Sequence, residues 1–418
     1  MDVDRDALCC AAIEWLRTQA PATVEQFHVF LQDEYSRILS QPGAKQVKVD
    51  PSTPPIGREQ RQSFALARTC LDDLLLAGAP LRLTQPVIEL GSSDEIHLLD
   101  FDWLDLPTIQ AEADGGVLAQ PSAISVPAAA NEWVLGGLPA SGLAWPYSEI
   151  QLVPWVDSTQ QWAQLHAKEN PFKEYFKPRA FLAEYQSQGR GRLQRPWLAP
   201  MGQCLMMTVS LIVPRKALDQ RLSPALAMLL CEWLNCRYGL PAQVKWPNDL
   251  LFEGQKLAGF LVQTTSSLTT TVQDALPMPN AATRDVQSSD TVCVMMGLGL
   301  NLNLSAEAIG QIAQPALGLR NTGYKLPNKT RLATEVLWVF ARLCEAIRLR
   351  DWGFLPEKWR QYDAYYGQPV RLVVGQSEVV EGVSRGVDAL GQLLLQVDDD
   401  IQHYCVGEVS MRPPQRRN

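Results

Sequence analysis

Residues 186–197 read Gln186-Ser187-Gln188-Gly189-Arg190-Gly191-Arg192-Leu193-Gln194-Arg195-Pro196-Trp197. Two glycines alternate with two arginines, directly after an apolar run at 180–183 that predicts a strand. Glycine lets the backbone approach a ligand closely, and arginine offers a fixed fork of donors that matches carboxylate and phosphate oxygens. A strand that ends in such a loop predicts a cradle for an anion.

Two common phosphate-binding motifs do not fit this loop. No Gly-Lys-Ser/Thr closes it, as a Walker loop requires, and its glycine spacing differs from that of the dinucleotide-binding fingerprint. Taken alone, a Gly-Arg-Gly-Arg run is also compatible with an RGG-like nucleic-acid segment or with a solvated turn. The choice between these interpretations depends on the rest of the chain.

Length and composition predict a globular protein of two to three domains. The chain has 418 residues, of which 46% are hydrophobic and 20% charged. The acidic start, residues 1–6, has no apolar run behind it, so we expect no signal peptide. No segment approaches the roughly 18 uncharged apolar residues of a membrane span. We therefore expect a cytoplasmic protein without a membrane partner.

The nine cysteines and four histidines favour no metal site. The cysteines are scattered between Cys9 and Cys405 with no CxxC pair, and the histidines lie far apart in sequence. We therefore predict reduced, buried thiols and neither a disulfide framework nor a zinc site.

The negative charge is concentrated near the N-terminus. Residues 1–110 hold 9 Lys and Arg against 17 Asp and Glu, whereas the remaining residues are balanced, and the whole chain carries −8. An acidic segment repels nucleic-acid phosphates, so this distribution argues against DNA binding by the N-terminal part.

The N-terminal pattern nevertheless predicts three helices followed by a β-ribbon. Apolar periodicity indicates helices over 7–17, from a cap at Thr23 onward, and over 58–77, and two short strands follow at 81–83 and 87–90. This is the outline of a winged helix-turn-helix. A Pro- and Gly-containing loop at 40–57 separates the second and third helices by more than a short turn, so a small helical domain without a nucleic-acid role stays open.

From residue 150 onward the pattern becomes α/β. Strands are predicted over 150–156, 204–211, 256–262 and 292–296, and they alternate with helices. A second unusual element, Lys245-Trp246-Pro247-Asn248-Asp249, lies before an apolar strand. It is compatible with a β-bend that carries one solvated lysine, or with a rigidly placed ammonium that acts as a point charge on a phosphate.

The C-terminal part predicts a small β-barrel. Short strands over 369–374, 378–386 and 393–397 are separated by Gly-containing turns.

Seven elements in fixed order resemble those of biotin protein ligases, also called biotin–[acetyl-CoA-carboxylase] ligases. They are Asp157-Ser158-Thr159, Gln186 with Gly189-Arg190-Gly191-Arg192 and Arg195, Lys245-Trp246-Pro247-Asn248-Asp249, Lys256-Leu257-Ala258-Gly259, Gly297-Leu298-Gly299-Leu300-Asn301, Ser384-Arg385-Gly386, and Gly407-Glu408-Val409-Ser410. Together they cover about residues 150–412.

The resemblance implies a central α/β (α+β) catalytic domain with a mixed sheet of the biotin/lipoate ligase type. It divides the chain into a winged-helix-like N-terminal domain (1–105), a linker (106–147), the catalytic domain (148–362, with an insertion at about 264–290) and a C-terminal SH3-like barrel (363–418). The N-terminal part resembles that of the bifunctional class, which also represses biotin synthesis. The resemblance leaves a DNA operator and a homodimer open as partners.

Two residues depart from the family pattern. Gln160 stands where the family usually has Asn, and Gln194 stands where a glycine is expected between Arg192 and Arg195. We expect the longer amide at 160 to shift a contact to biotin, and the lost glycine at 194 to stiffen the loop.

The implied reaction has two steps. The carboxylate of biotin attacks the α-phosphate of ATP, pyrophosphate leaves, and biotinyl-5′-AMP remains bound. A lysine ε-amine of the biotin carboxyl carrier protein of acetyl-CoA carboxylase then attacks the activated carbonyl. No protein nucleophile is needed, and Mg²⁺ is expected to accompany ATP.

The resemblance also assigns roles to residues. Lys245 is the expected bridge between the biotin carboxylate and the α-phosphate, and Arg190 is the second expected catalytic residue. The expected biotin-binding residues are Ser158, Thr159, Gln160, Gln186, Arg190, Gly191, Arg192 and Lys245. The expected ATP- and adenylate-binding residues are Arg190, Arg192, Arg195, Asn248, Lys256, Asn301 and Arg385. No metal-binding residue is predicted.

Three alternatives stay open at this point. The chain could be a lipoate-type ligase, a DNA-binding repressor whose ligase domain only senses biotin, or an inactive scaffold. The last is disfavoured because every charged group that the reaction requires is present.

Overall fold

The computed structural model describes residues 5–39, 70–77, 79, 81–83, 95–98, 102–114, 134–135, 138–139, 145–265, 291–374, 378–405 and 409–412. The predicted loop at 40–57, the predicted strand at 87–90, the first part of the predicted third helix and most of the insertion at 264–290 lie outside these residues.

The N-terminal part combines helices with a small antiparallel sheet. Its elements are α1 (Arg5–Gln19), β1 (Ala22–Thr23), α2 (Val24–Leu39), α3 (70–76), β2 (Leu81–Leu83) and β3 (Glu95–Leu98), with strand order β1-β3-β2. Thr23 caps α2 as predicted, because its Oγ1 accepts a hydrogen bond from the Gln26 backbone N–H at 3.2 Å and the Gln26 side chain accepts from Thr23 N at 2.8 Å. Leu16, Phe27 and Leu71 are buried between the helices.

The start of the predicted linker differs from the sequence-based expectation. Helix α4 (Leu106–Asp114) occupies it, followed by the short strands β4 (Val134–Leu135) and β5 (Leu138–Pro139), which pair with each other. Ile109 of α4 is fully buried in the core of the catalytic domain. Burial of this apolar side chain in the core stabilises the helix, whereas an extended linker would leave the side chain exposed to water.

The catalytic domain is built on a seven-stranded mixed sheet. Its elements are β6 (Glu149–Val156), α5 (Thr159–Glu169), β7 (Arg179–Gln186), β8 (Cys204–Pro214), α6 (Leu222–Tyr238), β9 (Gln243–Lys245), β10 (Asp249–Phe252), β11 (Gln255–Thr265), β12 (Thr291–Asn301), α7 (Ala306–Gln311), α8 (Lys329–Leu349) and α9 (Leu355–Tyr362). The strand order is β6-β7-β8-β12-β11-β10-β9, and only β6 and β7 are parallel. The predicted mixed sheet is thereby confirmed.

Both faces of this sheet are covered. Leu211 and Val294 pack with α6 and α8 in the main core, whereas Ile212 and Cys293 pack with Ala167 of α5. Successive strand residues point to opposite faces, so α5 lies on the face opposite α6 and α8.

The N-terminal part packs directly on the catalytic domain. The indole of Trp155 on β6 donates a hydrogen bond to Asp6 Oδ1 on α1 at 2.6 Å. The backbone N–H of Met201 donates to the carbonyl of Ala77, just after α3, at 2.6 Å. Strand β6 and the segment that follows the Gly-Arg loop therefore contact the N-terminal part.

The C-terminal strands form a five-stranded antiparallel sheet. They are β13 (Pro369–Val374), β14 (Glu378–Val387), β15 (Leu393–Val397), β16 (Asp400–Tyr404) and β17 (Val409–Arg412), in the order β16-β15-β14-β13-β17. Trp246 Nε1 donates to the Gly391 carbonyl at 3.1 Å and so ties this sheet to the Lys-Trp-Pro segment. Among the described residues, no helix has both the length and the apolar character needed to cross a membrane.

Candidate functional site

The first part of the site lies where β6 and β7 end. These two strands are parallel, so their carboxyl ends meet at one edge of the sheet, with Val156 beside Gln186. Gln186 Oε1 accepts hydrogen bonds from Thr159 N at 2.7 Å and from Thr159 Oγ1 at 3.0 Å. Thr208 Oγ1 on β8 lies 2.9 Å from Thr159 Oγ1. These contacts orient a row of polar groups at the start of α5.

Two neighbouring residues at this junction have structural partners. Ser158 is the N-cap of α5, and its side chain accepts from Gln161 N at 3.5 Å. Gln160 is buried, and its Nε2 donates to the carbonyls of Leu261 at 3.1 Å and Met295 at 3.4 Å. The longer amide at position 160 therefore joins α5 to β11 and β12.

The Gly-Arg loop folds back on itself. Gly191 N donates to the Arg195 carbonyl at 2.8 Å, and Trp197 N donates to the Gly189 carbonyl at 2.8 Å. Arg195 and Arg190 are both exposed. A cleft of about 450 Å³ borders the loop, lined in part by Gln186, Gly189, Arg190, Gln194 and Trp197.

Arg192 points from the loop to the central sheet. Its Nη1 donates to Asn248 Oδ1 at 3.1 Å, and Asn248 Nδ2 donates to the Phe260 carbonyl at 2.6 Å. Burial lowers the pKa of the Arg192 guanidinium, and the nearby Asp249 carboxylate acts in the opposite direction. Asn248 thus holds a partly desolvated arginine in place.

Two lysines share one carboxylate beside Arg192. Asp249 Oδ1 lies 2.6 Å from Lys256 Nζ, and Asp249 Oδ2 lies 3.8 Å from Lys245 Nζ. The three side chains are only 11–15% exposed. Strands β9, β10 and β11 are neighbours, which brings these residues together. Two ammonium groups and one carboxylate leave a net positive charge where water is scarce, so an anion would be attracted strongly.

A tryptophan from the loop covers two glycines of the sheet. A Cβ placed on Gly299 would lie 2.4 Å from Trp197 Cε2, and one on Gly259 would lie 3.2 Å from Trp197 Cζ3. Lys256 Nζ lies 5.4 Å from the centroid of the Trp197 ring, within cation–π distance. The absence of side chains at both glycines therefore allows the loop to lie flat on the sheet.

Two family models match this chain. The Biotin/lipoate A/B protein ligase family matches residues 152–274, and the Biotin protein ligase C terminal domain matches residues 365–412. The chain therefore contains a domain of the biotin/lipoate ligase family and a biotin protein ligase C-terminal domain. The first match contains the Gly-Arg loop and the Lys245–Asp249–Lys256 group, and the second contains all five strands of the C-terminal sheet.

Curated relatives and a solved structure resemble more than half of the chain. The Bifunctional ligase/repressor BirA of Escherichia coli is 28% identical over 270 residues, which are 64% of this chain and 75% of that protein. The Biotin--[acetyl-CoA-carboxylase] ligase of Mycobacterium tuberculosis is 27% identical over 238 residues, covering 54% of this chain and 77% of that protein. A biotin protein ligase from Aquifex aeolicus, solved with biotin and ATP, is 24% identical with a TM-score of 0.48 and covers 64% of this chain and all of that one.

The ligase domain brings most of the predicted site residues to one end of the sheet. Thr159 and Gln186 contact each other at the ends of β6 and β7. Arg192 and Asn248 contact each other beside Asp249, which both lysines face.

Asn301 has structural partners where a nucleotide contact was predicted. Its Nδ2 donates to the Lys256 carbonyl at 3.0 Å, and its Oδ1 accepts from Cys204 Sγ at 3.5 Å. It is fully buried, and it fixes the backbone of Lys256. A contact through Lys256 is the role that this geometry favours.

Arg385 lies in the C-terminal domain, away from these contacts. It is exposed, and its guanidinium donates two hydrogen bonds to Gln396 Oε1, at 2.6 and 2.8 Å. Within the described part of the chain, no hydrogen bond joins Arg385 to the Gly-Arg loop or to the lysines. The predicted nucleotide contact by Arg385 stays a prediction.

Three residues of the site were missed by sequence reasoning. Thr208, Asp249 and Trp197 were not predicted as site residues, although the last two stand in motifs that were recognised. Thr208 is a fully buried polar residue in a strand that is apolar apart from Thr208 and Ser210, and that interruption was the signal available in the sequence.

Neither cysteines nor acidic residues form a metal centre among the described residues. The cysteines carry free thiols, most of them buried. Burial raises the pKa of Cys204 and Cys293 to about 12, so these thiols stay protonated and are poor nucleophiles.

Proposed function

We propose that this chain is an ATP-dependent ligase that activates biotin as biotinyl-5′-AMP and transfers it to a lysine of a biotin carboxyl carrier protein. The observation that carries this proposal is the group formed by Lys245, Lys256, Arg192 and Asp249 beside the Gly-Arg loop. Three cations and one carboxylate leave two positive charges at the end of the sheet. The site therefore suits two anions that must be brought together.

In the first step, the biotin carboxylate attacks the α-phosphate of ATP. Lys245 is the proposed bridge between these groups, because its ammonium lies 3.8 Å from the Asp249 carboxylate that Lys256 approaches more closely, at 2.6 Å. Arg192, held by Asn248, would bind the phosphate from the loop side. Mg²⁺ would arrive with the phosphates of ATP, which supply most of its ligands in such sites.

In the second step, the site must protect a reactive anhydride from water. Arg190 and Gly191 lie on the loop that borders the cleft, and Trp197 covers the sheet beneath it. Closure of this loop over biotinyl-5′-AMP would exclude water until the carrier lysine attacks the carbonyl. Thr159 and Gln186 would hold the ring of biotin through the polar row at the start of α5.

The match to a biotin-specific C-terminal domain supports biotin over lipoate. The curated relative from Mycobacterium tuberculosis is named Biotin--[acetyl-CoA-carboxylase] ligase. Release of pyrophosphate with biotin, and not with lipoate, is the expected result when each acid is mixed with the protein, ATP and Mg²⁺. Release with lipoate alone would contradict this proposal.

A second function, repression of a biotin-synthesis operator, is favoured by the names of the bifunctional relatives and by the helices and ribbon of the N-terminal part. The net charge of that part opposes binding to phosphates. The test is a gel shift on the promoter of the organism's own biotin genes, with and without biotin and ATP. A shift that requires both ligands supports this role, whereas no shift at low salt contradicts it.

We further propose that the protein acts in the cytoplasm, where ATP and carrier proteins are available. A homodimer is part of the same proposal. Sedimentation with and without biotin and ATP tests it, and a monomer under both conditions would contradict it.

A further inference from the structure

One arginine of the Gly-Arg loop is held by a residue of the same loop. Arg190 Nη1 donates a hydrogen bond to Gln194 Oε1 at 2.8 Å. Both side chains are exposed, and both line the cleft of about 450 Å³. Arg192, in contrast, bonds to Asn248 on the sheet. Within the described residues, Gln194 is the only hydrogen-bond partner of the Arg190 guanidinium.

The backbone brings Gln194 to this position at a steric cost. Gln194 has φ +57° and Leu193 has φ +55°, in the left-handed region that favours glycine. The turn is closed by the hydrogen bond from Gly191 N to the Arg195 carbonyl. A glutamine is thus kept where a glycine would fit more easily, and its side chain reaches back across the turn to Arg190.

We propose that Gln194 is a positioning residue that occupies Arg190 while the cleft is empty and releases it when an anionic oxygen arrives. The inference rests on the proposed function, because the arriving group is the phosphate or the activated carboxyl group of biotinyl-5′-AMP. A neutral amide oxygen is a weaker acceptor for guanidinium than a phosphate oxygen, so the exchange is favourable once the ligand binds.

This exchange has a consequence for affinity. The ligand must replace the amide oxygen of Gln194 before it can bind the Arg190 guanidinium. The measured affinity is therefore the intrinsic affinity multiplied by the fraction of molecules in which Arg190 is released. Removal of the amide should therefore tighten binding, whereas a stronger acceptor at position 194 should weaken it. If the residue had only a structural role in the loop, one substitution would not raise the affinity while the other lowers it.

The test uses two variants of similar size. Gln194→Met keeps the side-chain length and the left-handed backbone but removes the acceptor, and Gln194→Glu replaces the amide with a carboxylate. Affinity for biotinyl-5′-AMP is measured by titration calorimetry on the full chain. We expect Gln194→Met to bind about two- to tenfold more tightly, the effect of one exposed hydrogen bond, and Gln194→Glu to bind more weakly than the parent. Gln361→Met on the exposed surface of α9 is the matched control.

The same substitution in an Arg190→Ala background isolates the pair. Gln194→Met should then leave affinity unchanged, because no guanidinium remains to be held. An equal gain in both backgrounds, or no gain in the parent, would overturn the inference. If the parent binds biotinyl-5′-AMP and the substitutions at position 194 leave its affinity unchanged, only this inference is refuted. A parent that does not bind biotinyl-5′-AMP refutes the proposed function as well. Circular dichroism and the midpoint of thermal unfolding verify that each variant is folded.

Discussion

Lys256 Nζ lies 2.6 Å from Asp249 Oδ1. The other oxygen of the same carboxylate faces Lys245 Nζ at 3.8 Å, so one acidic residue holds two ammonium groups near each other. Without that carboxylate, the two cations would repel each other across strand β10, which lies between their strands. Asp249 therefore allows two ammonium groups to lie close together at the end of the sheet. An incoming anion can interact with both of them.

Removal of the Lys245 ammonium should slow formation of biotinyl-5′-AMP. The Lys245→Ala variant is expected to lose about 10²–10³-fold in rate, or about 3–4 kcal/mol, the range for one preorganised charge donor. The measurement is single-turnover release of pyrophosphate at saturating biotin and ATP. Lys173→Ala, an exposed lysine, is the control. A rate for Lys245→Ala near that of the control would refute the assigned role.

Neutralisation of Asp249 should destabilise the fold. In the Asp249→Asn variant, two poorly exposed lysines lose their shared carboxylate, and we expect a cost on the order of 3 kcal/mol in the free energy of unfolding. Urea unfolding at low salt measures this cost, and added salt should reduce it by screening the repulsion between the lysines. An unchanged midpoint at low salt would show that the carboxylate is not needed to hold the two cations.

A side chain at Gly299 should displace Trp197 from the sheet. The Gly299→Ala variant places a Cβ 2.4 Å from the indole, and overpacking of this kind costs about 1–3 kcal/mol in stability. Gly310→Ala is the matched control, because its Cβ would meet nothing within 4 Å and it lies in helix α7. That control should be neutral or stabilising by about 0.5–1 kcal/mol. Trp197 fluorescence is part of a mixed signal from many tryptophans, so the test compares unfolding midpoints. Equal midpoints for the two variants would contradict the packing of Trp197 on Gly299.

Stability should depend on pH through Asp363. This residue ends α9 and pairs with Val244 of β9, and burial raises its pKa to about 6. Because the folded state binds this proton more tightly than the unfolded state, its stabilising effect is complete below about pH 4 and is lost as pH rises through about 6. The difference between this pKa and the ordinary value of an aspartate, about 4, corresponds to about 3 kcal/mol in the free energy of unfolding.

The comparison of the parent with Asp363→Asn isolates this effect from other carboxylates. Asparagine retains an acceptor for the Tyr365 backbone N–H, which now bonds Asp363 Oδ1 at 2.9 Å, but it does not titrate. The free energy of unfolding of the parent, relative to the variant, should fall by about 2 kcal/mol between pH 4 and pH 7. Parallel curves across this window would contradict the raised pKa.

The sequence predicted the parts of the fold and site that depend on local pattern. Apolar runs located β7, β8 and β12, and the glycines and arginines of 189–192 marked the loop. The pairing of Asp249 with two lysines could not be predicted, because it depends on which strands become neighbours. Asn301 was predicted to bind a nucleotide, but the fold surrounds it with the Lys256 carbonyl and Cys204. Helix α4 was missed because its short apolar pattern gains its stability from packing on the catalytic core.

Ligase activity is tested most directly by transfer of labelled biotin to a purified biotin carboxyl carrier domain in the presence of ATP and Mg²⁺. We expect covalent labelling that requires ATP and is lost when the acceptor lysine is replaced by arginine. Biotin binding without labelling of the carrier would contradict the proposed ligase activity and would indicate a sensor.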